Sequence, residues 1–238
     1  MPMRKLSFVL MAVLALSFMG CKKEKLITLS TTSTTLHHGE TYQISAQCDN
    51  PITYTSANEY YAKVSSFGKI TAQYVGRTTI RLASEDDNRV FTVTVAPESN
   101  LYPEPNIRFG ETKNSVISKL GTPDATTDSG IGYNDYSPNA PMLLVMLDDN
   151  DCVEDYAVIV KTAYSSELST FLSERYKFIG YSDGLFGYMN GLTTESATML
   201  IGSKLYNTSY WITLYMPNDS KSGVDDVRIE KLLKTLEK

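Results

Sequence analysis

The feature that most constrains the fold is a period-two alternation of apolar and polar residues, which recurs in short segments between Leu26 and Ala96. Successive side chains of a strand point to opposite faces of a sheet, so this alternation is typical of half-buried strands. The alternating segments are residues 41–46, 52–55, 62–65, 78–83 and 90–95. Turn signals at Phe67-Gly68-Lys69 and at residues 85–88 separate neighbouring segments. Many short strands at this spacing predict an all-β sandwich of ~7 strands over residues 26–97.

Motifs in the same half place it beside a known family. Leu36 precedes Gly39-Glu40, and Ala62-Lys63-Val64 precedes Gly68-Lys69-Ile70-Thr71-Ala72. These motifs resemble the bacterial immunoglobulin-like domain of group 2, the type found in intimins and invasins, and the match covers nearly all of residues 27–95. Tyr54 stands where that family usually has tryptophan, and a tyrosine still fills a core position if its hydroxyl finds a partner. The resemblance implies a spacer or an adhesion unit.

A proline-rich stretch divides the chain. Pro97, Pro103 and Pro105 fix backbone angles and remove hydrogen-bond donors, so residues 98–106 are predicted to form a short, stiff connector. Before the connector there is no helical periodicity, whereas after it helices and strands alternate. The sequence therefore predicts two domains, an immunoglobulin-like β-sandwich followed by an α+β domain with an antiparallel sheet over residues 107–238.

The sequence predicts the order of a helix followed by antiparallel strands twice in the second half. A helix at residues 111–120, capped by Thr112 and stopped by Gly121, precedes a predicted hairpin. A second helix, residues 165–176, precedes four predicted strands. The strands of the two units are residues 141–147, 152–160, 177–181, 185–189, 198–201 and 210–216. The order suggests an internal repeat without establishing one.

Residues 109–123 carry a second resemblance. The pattern Phe109-Gly110-Glu111-Thr112, followed by Val116 and by Leu120-Gly121-Thr122-Pro123, precedes a predicted hairpin. It resembles small α/β lipoprotein domains, such as the lipoprotein subunit of the outer-membrane β-barrel assembly machinery and the β-lactamase-inhibitor-protein-like fold. That resemblance implies protein binding.

The C-terminal residues 224–238 form an amphipathic pattern. Apolar residues recur there at helical spacing, with lysine and glutamate between them. Those apolar residues are Val227, Ile229, Leu232, Leu233 and Leu236. A helix docked on the sheet is the interpretation we favour, and a helix that binds a partner is the alternative.

The N-terminal residues predict where the protein is located. Arg4 and Lys5 precede an apolar segment, residues 6–19, that is too short to span a bilayer but suits a secretory leader. Residues 18–21, Phe-Met-Gly-Cys, resemble a bacterial lipobox, which implies cleavage of a signal peptide, residues 1–20, and lipidation (palmitate included) of Cys21. Residues 21–25 would form the anchor and a short tether, with the alternative of an ordinary leader and a chance cysteine. The predicted location is the cell envelope, as an outer-membrane lipoprotein, with the periplasmic face favoured because residues 22–25 lack an acidic tract.

Charge excludes one class of partner. Without Arg4 and Lys5 the chain keeps 20 of its 22 basic residues against 27 acidic ones, a net charge of about −7. Phosphate backbones are bound by basic surfaces, so no nucleic-acid partner is expected. The predicted partners are the membrane, through the lipid on Cys21, and a protein in the envelope or at the cell surface.

No catalytic, cofactor or metal site emerges from the sequence. The only histidines, His37 and His38, are adjacent and tend to point apart, which makes a poor metal pair. Cys48 and Cys152 lie in different predicted domains and are expected to be buried free thiols without an activating base. The acidic stretch at residues 148–151 is a turn or, alternatively, a calcium loop. A hydrolase would need two carboxylates facing a cleft and is the least favoured function.

Aromatic residues are the remaining candidates for recognition. Tyrosine and tryptophan are enriched at interfaces and stack on sugars, although tyrosine also suits strands for structural reasons. The candidate ligand-binding aromatics are Tyr188, Tyr206, Tyr210 and Trp211. The sequence therefore predicts a non-enzymatic, lipid-anchored envelope protein whose immunoglobulin-like spacer presents a protein-binding domain. A glycan-binding accessory lipoprotein is the alternative.

Overall fold

The computed structural model describes residues 25–218. The predicted leader, the lipidation site Cys21 and the predicted C-terminal helix lie outside these residues. Within residues 25–218 no helix is long and apolar enough to cross a membrane.

The first half folds as a β-sandwich. Its strands are β1 (Thr28–Leu29), β2 (Ser33–Leu36), β3 (Thr41–Gln43), β4 (Ala46–Gln47), β5 (Thr53–Ser56), β6 (Ala62–Val64), β7 (Lys69–Ala72), β8 (Gly76–Ala83) and β9 (Asn88–Val95). A four-stranded sheet in the order β2-β9-β8-β5 and a three-stranded sheet in the order β3-β7-β6 enclose one core, and β1 pairs with β4. Ile70, Ile80, Leu82 and Phe91 are among its fully buried side chains. The predicted strands at residues 52–55, 62–65, 78–83 and 90–95 are found with bounds that shift by one or two residues. The predicted strand at residues 41–46 is instead divided between β3 and β4, which belong to different sheets.

The second half forms one eight-stranded antiparallel sheet with two helices. Its elements are α1 (Lys113–Leu120), β10 (Ala125–Thr127), β11 (Gly130–Asn134), β12 (Met142–Leu147), β13 (Val153–Lys161), α2 (Ser165–Arg175), β14 (Lys177–Ser182), β15 (Leu185–Met189), β16 (Met199–Leu205) and β17 (Tyr210–Pro217). Thr112 caps α1 as predicted, since its side chain accepts a hydrogen bond from the Ser115 amide.

The strand order reveals an internal symmetry of arrangement. The sheet runs β10-β11-β12-β13-β17-β16-β15-β14, so two four-stranded meanders meet through their last strands, β13 and β17. A helix precedes each meander. The second half therefore repeats the order of one helix and four antiparallel strands.

Two strands, β10 and β11, are absent from the elements that the sequence pattern predicts. Residues 124–140 are mostly polar, yet β11 is a buried strand, Gly-Ile-Gly-Tyr-Asn, between β10 and β12. The period-two signal of β11 is short, because only Ile131 and Tyr133 are apolar, and the glycines between and before them are depleted in strands. Position 130 requires glycine for steric reasons, because a Cβ there would lie 2.7 Å from the Val145 carbonyl oxygen.

The sheet has two different faces. On the helix face, Val116 of α1 and Leu168, Phe171 and Leu172 of α2 pack against the strands. The second face carries a separate apolar cluster, whose strand members are Met142, Leu144, Met146, Ala157, Ile159, Leu185, Met189, Leu200, Tyr210, Ile212, Leu214 and Met216. We use these two names, helix face and second face, below.

The predicted connector contacts the second half through two buried side chains. Leu101 and Tyr102 are buried in the cluster on the helix face. The hydroxyls of Tyr102 and Tyr215 lie 2.7 Å apart and form a hydrogen bond. Leu101 and Tyr102 therefore attach the connector to the second half, because their apolar side chains are removed from water there.

Residues at the end of α2 join the sandwich to the sheet. The Val75 amide donates to the Glu174 carbonyl at 2.8 Å, and the Tyr60 hydroxyl donates to the Arg175 carbonyl at 2.7 Å. The Glu174 carboxylate, 2% exposed, accepts from the Glu98 and Ser99 amides and pairs with the Arg175 guanidinium. Buried carboxylates persist when several donors surround them, so this network fixes the connector against α2.

Candidate functional site

A groove on the helix face is one concave site of the second half. It lies between α2 and strands β15–β17 and encloses about 180 Å³. Its lining is Ser165, Leu168, Ser169, Leu172, Phe186, Tyr188, Ser203 and Trp211. We call this site the aromatic groove.

Strand and helix periodicity position the groove. Leu168 and Leu172 are four residues apart and share one side of α2, while Phe186 and Tyr188 are two apart and share one side of β15. Ser203 Oγ and Thr213 Oγ1 lie 3.2 Å apart, which satisfies both buried hydroxyls. The groove thus has apolar walls, and the Ser203 hydroxyl within it already has a hydrogen-bond partner.

Trp211 is held in one orientation. Its indole Nε1 donates to Ser165 Oγ at 2.8 Å, and Ser165 Oγ donates to the Thr162 carbonyl at 2.6 Å. The ring of Phe186 lies 6.0 Å from that of Trp211. A ligand would therefore meet a preorganised indole, so little side-chain entropy would be lost on binding.

The groove continues onto an exposed edge. Tyr181 lies 4.8 Å from Phe186 and Phe178 lies 5.4 Å from Tyr188, measured between ring centroids. Both belong to β14, which ends the sheet order, and they are 61% and 51% exposed respectively. Large exposed apolar side chains beside a groove are typical of interaction sites.

The four predicted aromatics do not form one site. Tyr188 and Trp211 line the aromatic groove, where burial raises the pKa of Tyr188. Tyr206 and Tyr210 instead pack against the cluster of the second face. Alternation along β17 places Tyr210 and Trp211 on opposite faces.

Sequence reasoning missed Phe178 and Tyr181 as site residues. Their signal is an apolar segment, Phe178-Ile179-Gly180-Tyr181, in which period-two alternation fails. Strand alternation fails there because the β14–β15 register shifts between Phe178 and Gly180.

In the part of the chain that the structure describes, no histidine, cysteine or carboxylate lines the aromatic groove. Among residues 25–218 no group of three or more His, Cys, Asp or Glu side chains is arranged to hold a metal ion. His37 Nδ1 lies 3.2 Å from the Ala96 carbonyl oxygen and His38 Nδ1 contacts the Gln73 carbonyl oxygen, so both histidines belong to the sandwich. The groove residues include serines but neither a histidine nor a carboxylate that would activate them.

The remaining candidate groups have structural roles. Asp148 Oδ1 accepts from the Asn150 and Cys152 amides, each at 2.9 Å, and these bonds, that from Cys152 first, lower the pKa of Asp148. This geometry accounts for the acidic turn without a calcium ion. Cys48 and Cys152 are free thiols, but they are half-buried, not buried as predicted, because each lies at the margin of its sheet.

Comparison with known proteins gives one family match. Residues 25–95 match the model of the bacterial Ig-like domain (group 2), which confirms the resemblance seen in the motifs of this half. No curated protein sequence matches the chain.

Solved structures give only distant similarities. A mutant of intimin from EHEC O157:H7 is 14% identical with a TM-score of 0.25, over 80% of this chain and 95% of that one. Domains 5–6 of the S-layer protein SbsC are 14% identical with a TM-score of 0.26, over 82% of this chain and 85% of that one. The C-terminal domain of TagH is 12% identical with a TM-score of 0.30, over 71% of this chain and 98% of that one. TM-scores this low do not indicate that the whole chain shares the arrangement of any of these three structures.

Proposed function

We propose that this chain is a non-enzymatic lipoprotein of the bacterial cell envelope, held by lipid on Cys21, that binds a protein partner at the aromatic groove. In this proposal the Ig-like sandwich is a spacer and residues 107–238 are a second domain that presents the groove. The lipobox-like residues 18–21 and the family match of residues 25–95 support the location and the spacer role.

One observation carries the binding role, namely the exposed aromatic edge. The opposite edge of the sheet, β10, has three residues and bears alanine and threonine, whereas β14 has six and exposes Phe178, Ile179 and Tyr181. Proteins usually keep edge strands short or charged to prevent unwanted pairing. An exposed apolar edge strand therefore carries a risk of unwanted pairing, and a partner that covers it would remove that risk.

Addition of a partner strand is the binding mode that suits this edge. In the described residues, β14 pairs with β15 on one side only, so its outer backbone groups face away from the sheet. An extended peptide gains affinity from main-chain hydrogen bonds to such an edge and specificity from side-chain pockets. Phe178 and Tyr181 would then contact alternate side chains of the partner, and the groove would accept one apolar side chain.

Glycan binding is the second candidate, favoured by the single ring of Tyr181. An exposed tyrosine ring suits stacking on a sugar. However, the hydroxyls of Ser165 and Ser203 and the indole N–H of Trp211 are engaged within the protein, which leaves fewer polar groups to orient a sugar.

The binding role is tested by photo-crosslinking in intact envelopes. Benzoylphenylalanine would replace Tyr181 in one chain and Thr126, on β10, in a matched control chain. We expect a discrete protein adduct from position 181 that is lost when Phe178→Ala is added, and none from position 126. Equal adducts from both edges, or none from position 181, would contradict the proposal.

Glycan arrays separate the two candidates. Binding to an array that is lost in Phe178→Ala or Tyr181→Ala chains, without a protein adduct, would establish the second candidate in place of the first. Hydrolysis of a glycan or peptide substrate by the purified chain would contradict both.

Anchoring requires its own measurement. Mass spectrometry of the mature N-terminus is expected to find diacylglycerol on Cys21, and Cys21→Ala is expected to release the chain from membranes. Protease treatment of intact cells then distinguishes surface from periplasmic exposure. An unmodified N-terminus that begins elsewhere would remove the anchor from the proposal and leave the groove unaffected.

A further inference from the structure

The second face of the sheet is apolar and lacks a helix within residues 25–218. Both α1 and α2 pack their buried residues into the cluster on the helix face. The cluster of the second face draws its members from strands, apart from Ala197 and Tyr206 in loops. In folds made of helix and sheet layers, each apolar face of a sheet packs against another element. The element that packs on the second face is not among the helices of residues 25–218.

The centre of the second face is buried, although no helix within residues 25–218 packs its buried residues there. Ile212, Leu214 and Met216 of the central strand β17 are 1% exposed or less, and Ala157 of β13 is fully buried. Apolar side chains are stabilised by about 25 cal/mol for each Å² removed from water. The occupant must therefore lie across β13 and β17 and must itself be apolar.

Toward β10 the same face is open. Met142, Leu144 and Met146 are half-buried and line, with the glycines at 130 and 132, a shallow groove of about 210 Å³. Methionine side chains are flexible and adapt to the surface that packs on them.

We infer that residues 224–236 of this chain dock as an amphipathic helix on the second face, across β13 and β17. The inference does not depend on the proposed function. Three observations carry it, namely the position of Asn218 beside this face, the length of the segment 224–236, and the residue pattern of that segment.

The chain leaves the sheet at the second face. Asn218 comes directly after β17, and its side-chain amide donates to the carbonyls of Thr194 and Ala197 at 2.7 and 2.8 Å. Ala197 is itself a member of the second-face cluster. The residues after Asn218 therefore start beside the second face.

Length and pattern fit the surface. Residues 224–236 as a helix would be ~20 Å long, which crosses about four strands at ~4.8 Å spacing. Ile229, Leu232, Leu233 and Leu236 follow the spacing of one helical side. Asp225 and Asp226 precede Lys231 and Lys234, an order that suits the helix dipole.

Methionine oxidation provides the test, because methionine side chains on the second face react with peroxide once they become exposed. Met189 and Met216 lie on the second face, whereas Met199 packs against the helix face. In the full chain, Leu233→Asp is expected to raise peroxide oxidation of Met189 and Met216 about tenfold or more through local exposure, with Met199 unchanged. Lys234→Asp, on the opposite side of the helix, is the matched control and should change none of the three rates.

Photo-crosslinking covers the case in which Leu233→Asp unfolds the chain. Benzoylphenylalanine at position 233 is expected to give adducts within the same chain to β13, β16 or β17, and at position 234 to give none. Adducts between two copies would identify a second copy as the occupant, and lipid adducts would identify the membrane. Either result, or unchanged oxidation of Met189 and Met216 in Leu233→Asp, would overturn the inference.

Discussion

The Tyr60 hydroxyl donates a hydrogen bond to the Arg175 carbonyl at 2.7 Å, across 115 residues of sequence. Tyr60 belongs to the sandwich half and Arg175 ends α2, so this bond joins the two halves directly. The Tyr60 ring also stacks on Tyr74 at 4.5 Å, and burial raises the pKa of Tyr60. A joint of this kind orients the sandwich relative to the groove.

Tyr60→Phe should weaken the joint while keeping the aromatic stacking. Loss of the hydroxyl is expected to lower the free energy of unfolding by about 1 kcal/mol, the typical net value of one hydrogen bond. Urea unfolding followed by fluorescence of Trp211, the only tryptophan, would measure the change. Tyr181→Phe, at an exposed position, is the control, and an equal effect in both variants would argue against the joint.

Glu174→Gln should lower the stability of the fold far more than Glu98→Gln, although the Glu98 amide contacts the Glu174 carboxylate. Glu174 is buried with Arg175 and two backbone donors, so neutralising it leaves a buried guanidinium without its nearest counter-charge. Breaking a buried pair in this way costs about 3–5 kcal/mol. Glu98 is exposed, and its substitution is expected to cost less than about 0.5 kcal/mol. Thermal unfolding of the two variants would decide, and similar losses would contradict the role of Glu174.

Gly68→Ala and Gly39→Ala should separate backbone strain from steric conflict. Both glycines have similar positive φ, 78° and 80°, but a Cβ at Gly68 would lie 2.8 Å from Tyr54 Cε1 while Gly39 has open space. Gly39→Ala is expected to cost about 1 kcal/mol from strain alone, and Gly68→Ala more. Adding Tyr54→Leu should recover part of the Gly68→Ala loss. Additive losses would show that the two sites do not interact.

Alkaline pH should unfold the second half. Burial raises the pKa of Tyr136 to about 12 and raises the pKa of Tyr102, Tyr156, Tyr176 and Tyr215. Unfolded tyrosine ionises near pH 10, so these groups contribute stability that is complete below about pH 10 and lost as pH rises toward their folded values.

Tyr156→Phe isolates one of these groups. Its hydroxyl contacts only Met199 Sδ, at 3.7 Å, so the variant should fold normally at neutral pH. Above about pH 10 the slope of stability against pH should become shallower by about 1.4 kcal/mol per pH unit, which corresponds to one proton. Urea unfolding at a series of pH values would measure the slope. An unchanged slope would mean that Tyr156 ionises equally in both states.

Local signals in the sequence are sufficient for most elements. Thr112 caps α1 and Gly68 makes its hairpin turn because each acts on residues only a few positions away. Period-two alternation locates the strands of the sandwich for the same reason. By contrast, β11 escapes prediction because its alternation comprises only Ile131 and Tyr133 among glycines, and the symmetrical strand order is visible only in the sheet itself.

The sandwich half could be inferred from residues alone, through turns and alternation that act over a few positions and motifs that match a family model over residues 25–95. The folded structure was needed to show that Leu101 and Tyr102 are buried, that Tyr188 and Tyr210 lie on opposite faces, and that Phe178 and Tyr181 border a groove. These outcomes depend on contacts between residues distant in sequence. Whether an apolar side chain is covered is set by what packs over it, and composition and spacing do not specify that neighbour.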